Sequence, residues 1–192
     1  VFPEKVMEES KKTILSISKK EIGNRKDLRG VDTFTIDPND AKDFDDALSV
    51  KKLKNGNWEI GVHIADVSHF VTKGGVLDEE AKQRASSVYL VDRVVPMLPE
   101  IISNEICSLK PNEDRLCFSV LFEMDEKANL IDYWVGKSVI HSDKRFTYTQ
   151  AQRIVDEKKG LFSKQLLLLN KLSKILRNNR FKLGALDFES SE

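Results

Sequence analysis

Apolar and polar positions alternate with a period of two over several stretches of the chain, and a period near 3.6 takes over at its two ends. Thr33–Ile36 is β-branched or aromatic and runs into Asp37-Pro38, a strand end followed by a turn. Ala47–Leu53 and Trp58–Ile64 read as strands joined by Lys54-Asn55-Gly56-Asn57, and Asn-Gly is the strongest short hairpin signal. Leu116–Met124 sets Leu116, Phe118, Val120 and Phe122 against Cys117, Ser119, Leu121 and Glu123, a mostly buried strand. A turn at 125–129 leads to a partner strand, Leu130–Ile140, with Trp134 and Val135 expected in the core. Ser86–Val95 is β-branched and reads as a further strand, with Tyr89 in it as a core aromatic.

Helical periodicity predicts an amphipathic helix from Pro3 to about Glu21, built on Val6, Ile14, Leu15 and Ile17. Gly74-Gly75 precedes a helix around Leu77–Ala85, and a short helix runs from Pro99 to Cys107. Thr149–Glu157 is helical, Gly160 breaks it, and Leu161 to about Asn179 carries a broad apolar stripe of leucines and isoleucines. On its other side, Lys171, Lys174, Arg177 and Arg180 read as a solvated face that could border a polyanion. The elements add up to an α+β fold: a mostly antiparallel β-sheet with flanking helices. No repeat, low-complexity run or glycine-rich phosphate loop interrupts it.

One stretch carries candidate chemistry. Between Asp37 and Asp46 five carboxylates fall within ten residues, framed by strands. If residues 43–45 are extended, Asp43 and Asp45 share a face, Phe44 points into protein, and Asp46 points away unless the backbone turns. Close-set acids repel and lose hydration unless cations neutralise them. A calcium loop fails on spacing, because the sixth and twelfth positions counted from Asp37 are Lys42 and Leu48 rather than Gly and Glu. A solvated turn and a hard-divalent site, which prefers carboxylate oxygen, both remain open. His63 and His69 flank Asp66, but carboxylate-held hard cations rarely recruit imidazole, so both are read as partners of buried polar groups. The basic run Arg25-Lys26-Asp27-Leu28-Arg29 could hold phosphate, neutralise the neighbouring acids or be a solvated linker. Lys144, Arg145 and Tyr148 read first as a polar strand end, with an RNA groove as the rival.

Composition adds bounds. The 192 residues suffice for one real core, and 31 Lys plus Arg balance 31 Asp plus Glu, so net charge argues neither for nor against a nucleic acid. Cys107 and Cys117 show no metal or redox spacing and read as reduced thiols of a cytoplasmic protein with no disulfide partner. No apolar run is long enough for a membrane span. The start, Val1-Phe2-Pro3, carries no initiator Met or signal peptide and reads as cut from a larger protein.

The motif sequence as a whole is more specific than its spacing. Arg29–Pro38, Asp40–Ala47, Gly61–His69, Val95–Pro99 and Val139–Ser142 resemble, in order, the signatures of the ribonuclease II and ribonuclease R family of RNB-type exoribonucleases. The resemblance implies a partial RNB catalytic domain over residues 29–192, truncated at its end and preceded by a helix and basic linker over 1–28. It implies Mg²⁺-dependent, processive 3′-to-5′ hydrolysis of single-stranded RNA to nucleoside 5′-monophosphates, with Mn²⁺ as a substitute. The family's metal-site aspartates fall on Asp37, Asp43, Asp45 and Asp46, with Asp37 and Asp46 on the firmly bound ion. Asp45 would serve the second ion and the attacking water, and Asp43 would complete the shell. Two such ions ~3.5–4 Å apart can activate water and neutralise phosphoryl charge. Asp40 is not a family catalytic position. The family's tyrosine that stacks on the terminal base matches Tyr89, and Gly184–Glu189 is similar to a segment that begins a further strand. An arginine, a glutamate and a second base clamp of the family match nothing here, so the chain alone is expected to be inactive or crippled and open to self-association. A non-catalytic RNA-binding module and a phosphodiesterase acting on DNA or small phosphates are the alternative readings.

Overall fold

A computed structural model of the protein describes residues 1–13 and 16–186. In chain order it contains α1 (Glu4–Lys12), α2 (Lys19–Gly23), β1 (Lys26–Asp27), β2 (Thr33–Asp37), β3 (Asp46–Lys52), β4 (Trp58–Ala65), α3 (Val67–Phe70) and α4 (Val76–Arg84). There follow β5 (Val88–Tyr89), β6 (Val94–Val95), a π-helical turn (Ile101–Cys107), β7 (Asp114–Met124), β8 (Leu130–His141), β9 (Lys144–Thr147), α5 (Tyr148–Glu157) and α6 (Ser163–Lys182).

Among the described residues seven strands form one sheet, in the order β1-β8-β7-β4-β3-β2-β9. The four central pairings are antiparallel, while β1 runs parallel to β8 and β9 parallel to β2 at the two edges. The α+β expectation therefore holds. One sheet face is covered by α1, α4 and the π-helical turn, through Val6, Leu77, Ile102 and Ile106 against Ala47, Leu121 and Ile140. On the other face Leu172 of α6 packs on Val50 and Ile60, and Leu166 packs with Phe34 and Phe146. Phe34 stacks on Phe162 and meets Phe146 edge-on, tying β2 and β9 to the start of α6.

Four local expectations are corrected. The first helix is two: α1 ends at Lys12, and Ser18 starts α2 by accepting from the Glu21 backbone N–H at 3.1 Å, an N-cap that competes with continuous helix. Of the stripe expected there, Ile14 and Leu15 lie outside the described residues, as do residues 187–189 of the strand expected from Gly184 to Glu189; residues 184–186 are in no strand. Ser86–Val95 is a small separate hairpin closed by Leu90 N–H to the Arg93 carbonyl, with Val91 at its exposed tip. Of the helix expected from Pro99 to Cys107, Ile101–Cys107 winds as a π-helix, with a wider turn than an α-helix. Trp134 is half-buried but Val135 is exposed, because consecutive strand residues point to opposite faces and one of these faces is open.

The centre of the sheet carries a polar network. His63 is sealed from solvent, with Nδ1 2.7 Å from Ser119 Oγ and Nε2 2.8 Å from Ser49 Oγ, and Ser119 meets Ser138 Oγ at 2.5 Å. Four strands are joined, and each ring nitrogen has a hydroxyl that can donate or accept as required. Burial draws the His63 pKa down from 6.5 to about 4. Between these values the unfolded chain takes up a proton that the fold refuses. Stability is therefore whole above pH 6.5 and declines as the pH falls toward 4, by about 3 kcal/mol in all. Urea unfolding across that window should show the decline, and His63→Gln should flatten it.

Gly61 makes room for this network. A Cβ there would lie 2.3 Å from Ser49 Oγ and 2.5 Å from His63 Nε2. Gly61→Ala is expected to cost about 1–3 kcal/mol by overpacking and to break the His63–Ser49 contact, measurable as a lower urea midpoint.

Candidate active site

The acidic motif occupies the junction between β2 and β3. Asp37 is the last residue of β2 and is buried; residues 38–45 form an irregular loop, and Asp46 opens β3. Strands β2 and β3 pair at Thr33–Ser49 and Phe34–Leu48 and then part. The same count carried onward would set Asp37 beside Asp45, so the loop returns the chain to where it left. Main-chain contacts hold the returning limb: Phe44 N–H donates to Ser108 Oγ at 3.0 Å, Leu109 N–H to the Phe44 carbonyl at 2.8 Å, and Ala65 N–H to the Asp45 carbonyl at 2.9 Å. Asp43–Asp45 are thus not a regular strand, although Phe44 does pack against the main core as its alternation suggested. Asp43 is half-buried, and Asp45 and Asp46 are exposed.

The carboxylates are close enough to perturb one another. Asp37 is held above the ordinary carboxylate range, first by burial and then by the charges of Asp46 and Asp43. Two groups oppose the rise: the Thr35 hydroxyl, which donates to Asp37 Oδ2 at 2.5 Å, and the Arg145 guanidinium. Asp45 is also raised. Solvent reaches the residue, yet the protein around its carboxyl withdraws hydration first, and Asp43, Asp46 and Asp37 then add their charges. All four aspartates expected from sequence therefore belong to one electrostatic cluster. Among the described residues no three His, Cys, Asp or Glu side chains are drawn together tightly enough to enclose an ion. The donor chemistry nevertheless suits a hard divalent cation: in this all-carboxylate set Asp37 and Asp45 are raised by their neighbours' charges, and a counter-charge relieves that repulsion.

The neighbouring candidates are placed as follows. Tyr89 is 72 % exposed, and its strand pairs with β6 rather than with the aspartate-bearing sheet. Tyr148 is also exposed, at the start of α5. His63 lies inside the sheet, as read, and His69 packs edge-on against Phe70, its Nδ1 3.5 Å from Arg25 Nη2. The basic run is internal in part. Arg25 is buried, Nε donating to Glu21 at 2.6 Å and Nη2 lying 2.8 Å from Asp66 Oδ2 in a charge contact too poorly angled for a hydrogen bond. Arg29 pairs with Asp27 and Asp114. Sequence reasoning missed two supports of the acidic loop, Ser108 and the Arg145 side chain. Ser108 carried no local signal, and Arg145 was read first as part of a polar strand end, with an RNA groove as the rival.

Known proteins resemble this chain along its whole length. The RNB domain family matches residues 25–192. Ribonuclease R of Thermotoga maritima is 47% identical over 197 aligned residues, which take in all of this chain and 28% of that protein. The exosome complex exonuclease RRP44 of Homo sapiens is 44% identical over 179 residues, 92% of this chain and 19% of its own length. Among solved structures, Mycoplasma genitalium RNase R in complex with ribose-methylated single-stranded RNA superimposes with a TM-score of 0.90 at 32% identity, over 100% of this chain and 31% of that one. The chain thus spans less than a third of the length of each of these relatives.

Proposed function

The chain belongs to the RNB-domain family of ribonuclease II and R type, and from that premise we propose that it supplies the acidic half of a 3′-to-5′ exoribonuclease site acting on single-stranded RNA. The observation that carries this reading is the electrostatic cluster at the β2–β3 junction, where the charges of Asp43 and Asp46 raise both Asp37 and Asp45, and Asp37 raises Asp45 further. Bound Mg²⁺ or Mn²⁺ would supply water activation and neutralisation of phosphoryl charge at neutral pH. Asp37 and Asp46, from the facing strand ends, would hold one cation. Asp45 would help hold a second and orient the attacking water, and Asp43 would close the set from the returning limb. Thr35 fixes one Asp37 oxygen, so the other is left to a ligand.

RNA as the substrate is supported by the relative solved with single-stranded RNA. The exposed ring of Tyr89 suits stacking on a base, a sequence-tolerant contact of about 1–3 kcal/mol. The family's arginine near the scissile phosphate has no match in this chain, so we expect the chain alone to hydrolyse RNA feebly or not at all. A 5′-labelled single-stranded RNA digested with Mg²⁺ or Mn²⁺ by a protein carrying this chain in a complete RNB domain tests the reading. A ladder shortening from the 3′ end, lost on chelation, is the expected result. Equal cleavage of a deoxyribose oligomer would favour a general phosphodiesterase, and binding without cleavage a non-catalytic RNA module.

A further inference from the structure

Arg145 stands on β9 opposite Thr35, on the sheet face that Thr35 shares with Asp37. From there its guanidinium extends past Asp37 onto the acidic loop. Nη2 donates to the Pro38 carbonyl and, at 3.1 Å, to the Asn39 carbonyl. The guanidinium carbon lies 5.5 Å from the centre of the Phe44 ring, so one side chain touches both the outgoing turn and the returning limb. Its Nε–H is shut off from solvent and has no partner among the described residues. A buried unmet donor costs about 1–3 kcal/mol, so the remaining contacts must hold the group in place. The limb has its own anchor in Ser108, whose hydroxyl accepts from Phe44 N–H and donates to the Lys42 carbonyl at 3.2 Å. The turn at Pro38-Asn39 has the Arg145 contacts and one internal bond, Ala41 N–H to the Pro38 carbonyl at 3.2 Å.

We propose that Arg145 is a positioning residue for the divalent-cation site, clamping the Pro38–Asn39 turn so that Asp37 on one side of the loop and Asp43, Asp45 and Asp46 on the other converge on a cation. This rests on the metal reading above. Two roles for the arginine make opposite predictions. If it only balances charge, removing it leaves a more negative cluster and strengthens cation binding. If it positions the loop, removing it weakens cation binding, as loss of outer-shell partners commonly does by 10–100-fold.

The test is a Mn²⁺ titration of the chain, followed by the electron paramagnetic resonance of the free ion, with Arg145→Met and Arg145→Lys beside the unaltered protein. Arg145→Met is expected to weaken binding about tenfold or more, and Arg145→Lys, which keeps the charge and one donor, to recover part of it. Binding by Arg145→Met that is equal or tighter overturns the proposal. Amide exchange without metal provides a second readout: Ala41 should exchange about tenfold faster in Arg145→Met while Phe44, held by Ser108, stays unchanged. An unchanged Ala41 overturns the clamp. An unaltered chain that retains no Mn²⁺ removes the cation reading itself, and the exchange result then still decides whether Arg145 orders the turn.

Discussion

With Asp45 replaced by asparagine, RNA shortening by a protein that carries this chain in a complete RNB domain is expected to fall about a hundred- to a thousandfold. The same substitution should make the metal-free chain more stable to heat. The two effects have one cause. Asp45 is raised by lost hydration and by the charges of Asp43, Asp46 and Asp37, so its ionised form is disfavoured in the metal-free fold. A neutral amide of the same shape removes that penalty, and with it the carboxylate that a cation and an attacking water would use. Asp45's own contribution to the stability of the metal-free chain should likewise rise as the pH falls through its raised pKa toward 3.8, since the fold binds that proton more tightly than the unfolded chain does. It opposes the His63 decline and is read as the difference between the unaltered chain and Asp45→Asn. A thermal melt without metal, beside the RNA digest, checks both arms. Asp45→Asn that lowers the melting temperature and leaves hydrolysis intact would show that Asp45 is a structural carboxylate.

The second large effect lies away from the acids. Arg25→Met is expected to cost about 3–5 kcal/mol, because it strands Asp66 as a buried charge. Arg25 is enclosed, its Nη1 3.3 Å from the Cys117 carbonyl and 3.5 Å from the Ser138 carbonyl, and Asp66 is 4% exposed. Burial would raise Asp66, but the Ser68 hydroxyl and Arg25 outweigh it and hold the carboxyl below its usual range. Lys137, 3.6 Å away and half-exposed, is too well solvated to replace the guanidinium. Removing both charges with Arg25→Met and Asp66→Leu should restore much of the loss, since a buried pair exchanged for apolar groups is often near neutral. Urea unfolding of the single and double variants measures this, and a single-variant loss under about 1 kcal/mol would mean that water reaches Asp66.

The strands of the central sheet were legible because their signals are local. Asn55-Gly56 dictated the β3–β4 hairpin, and the alternation from Leu116 to Met124 marked a strand buried between neighbours. The acidic loop was legible as a motif, since Asp37, Asp43, Asp45 and Asp46 stand within one short run. What holds the loop was not legible. Ser108 and Arg145 are 64 and 106 residues away along the chain from the groups they bind, Phe44 and Asn39, and only the sheet order brings them there. The same limit misplaced Arg25, whose burial depends on Asp66, and Val135, whose face of the sheet is not covered. Both Tyr89 and the split of the first helix show the converse, where a propensity run was overridden by a turn or a cap too weak to stand out in sequence.

The aspartates at the β2–β3 junction are proposed to act together as a cation site. Mn²⁺ retention by the chain tests this most directly, with Asp37→Asn and Asp40→Asn compared side by side. Asp40 lies in the same loop but is not among the leading causes of the shifts of Asp37 or Asp45. The unaltered chain should retain Mn²⁺, Asp37→Asn should weaken retention about tenfold or more, and Asp40→Asn should leave it unchanged. No retention, or equal weakening by both substitutions, would reduce the motif to a generally acidic surface and contradict the account.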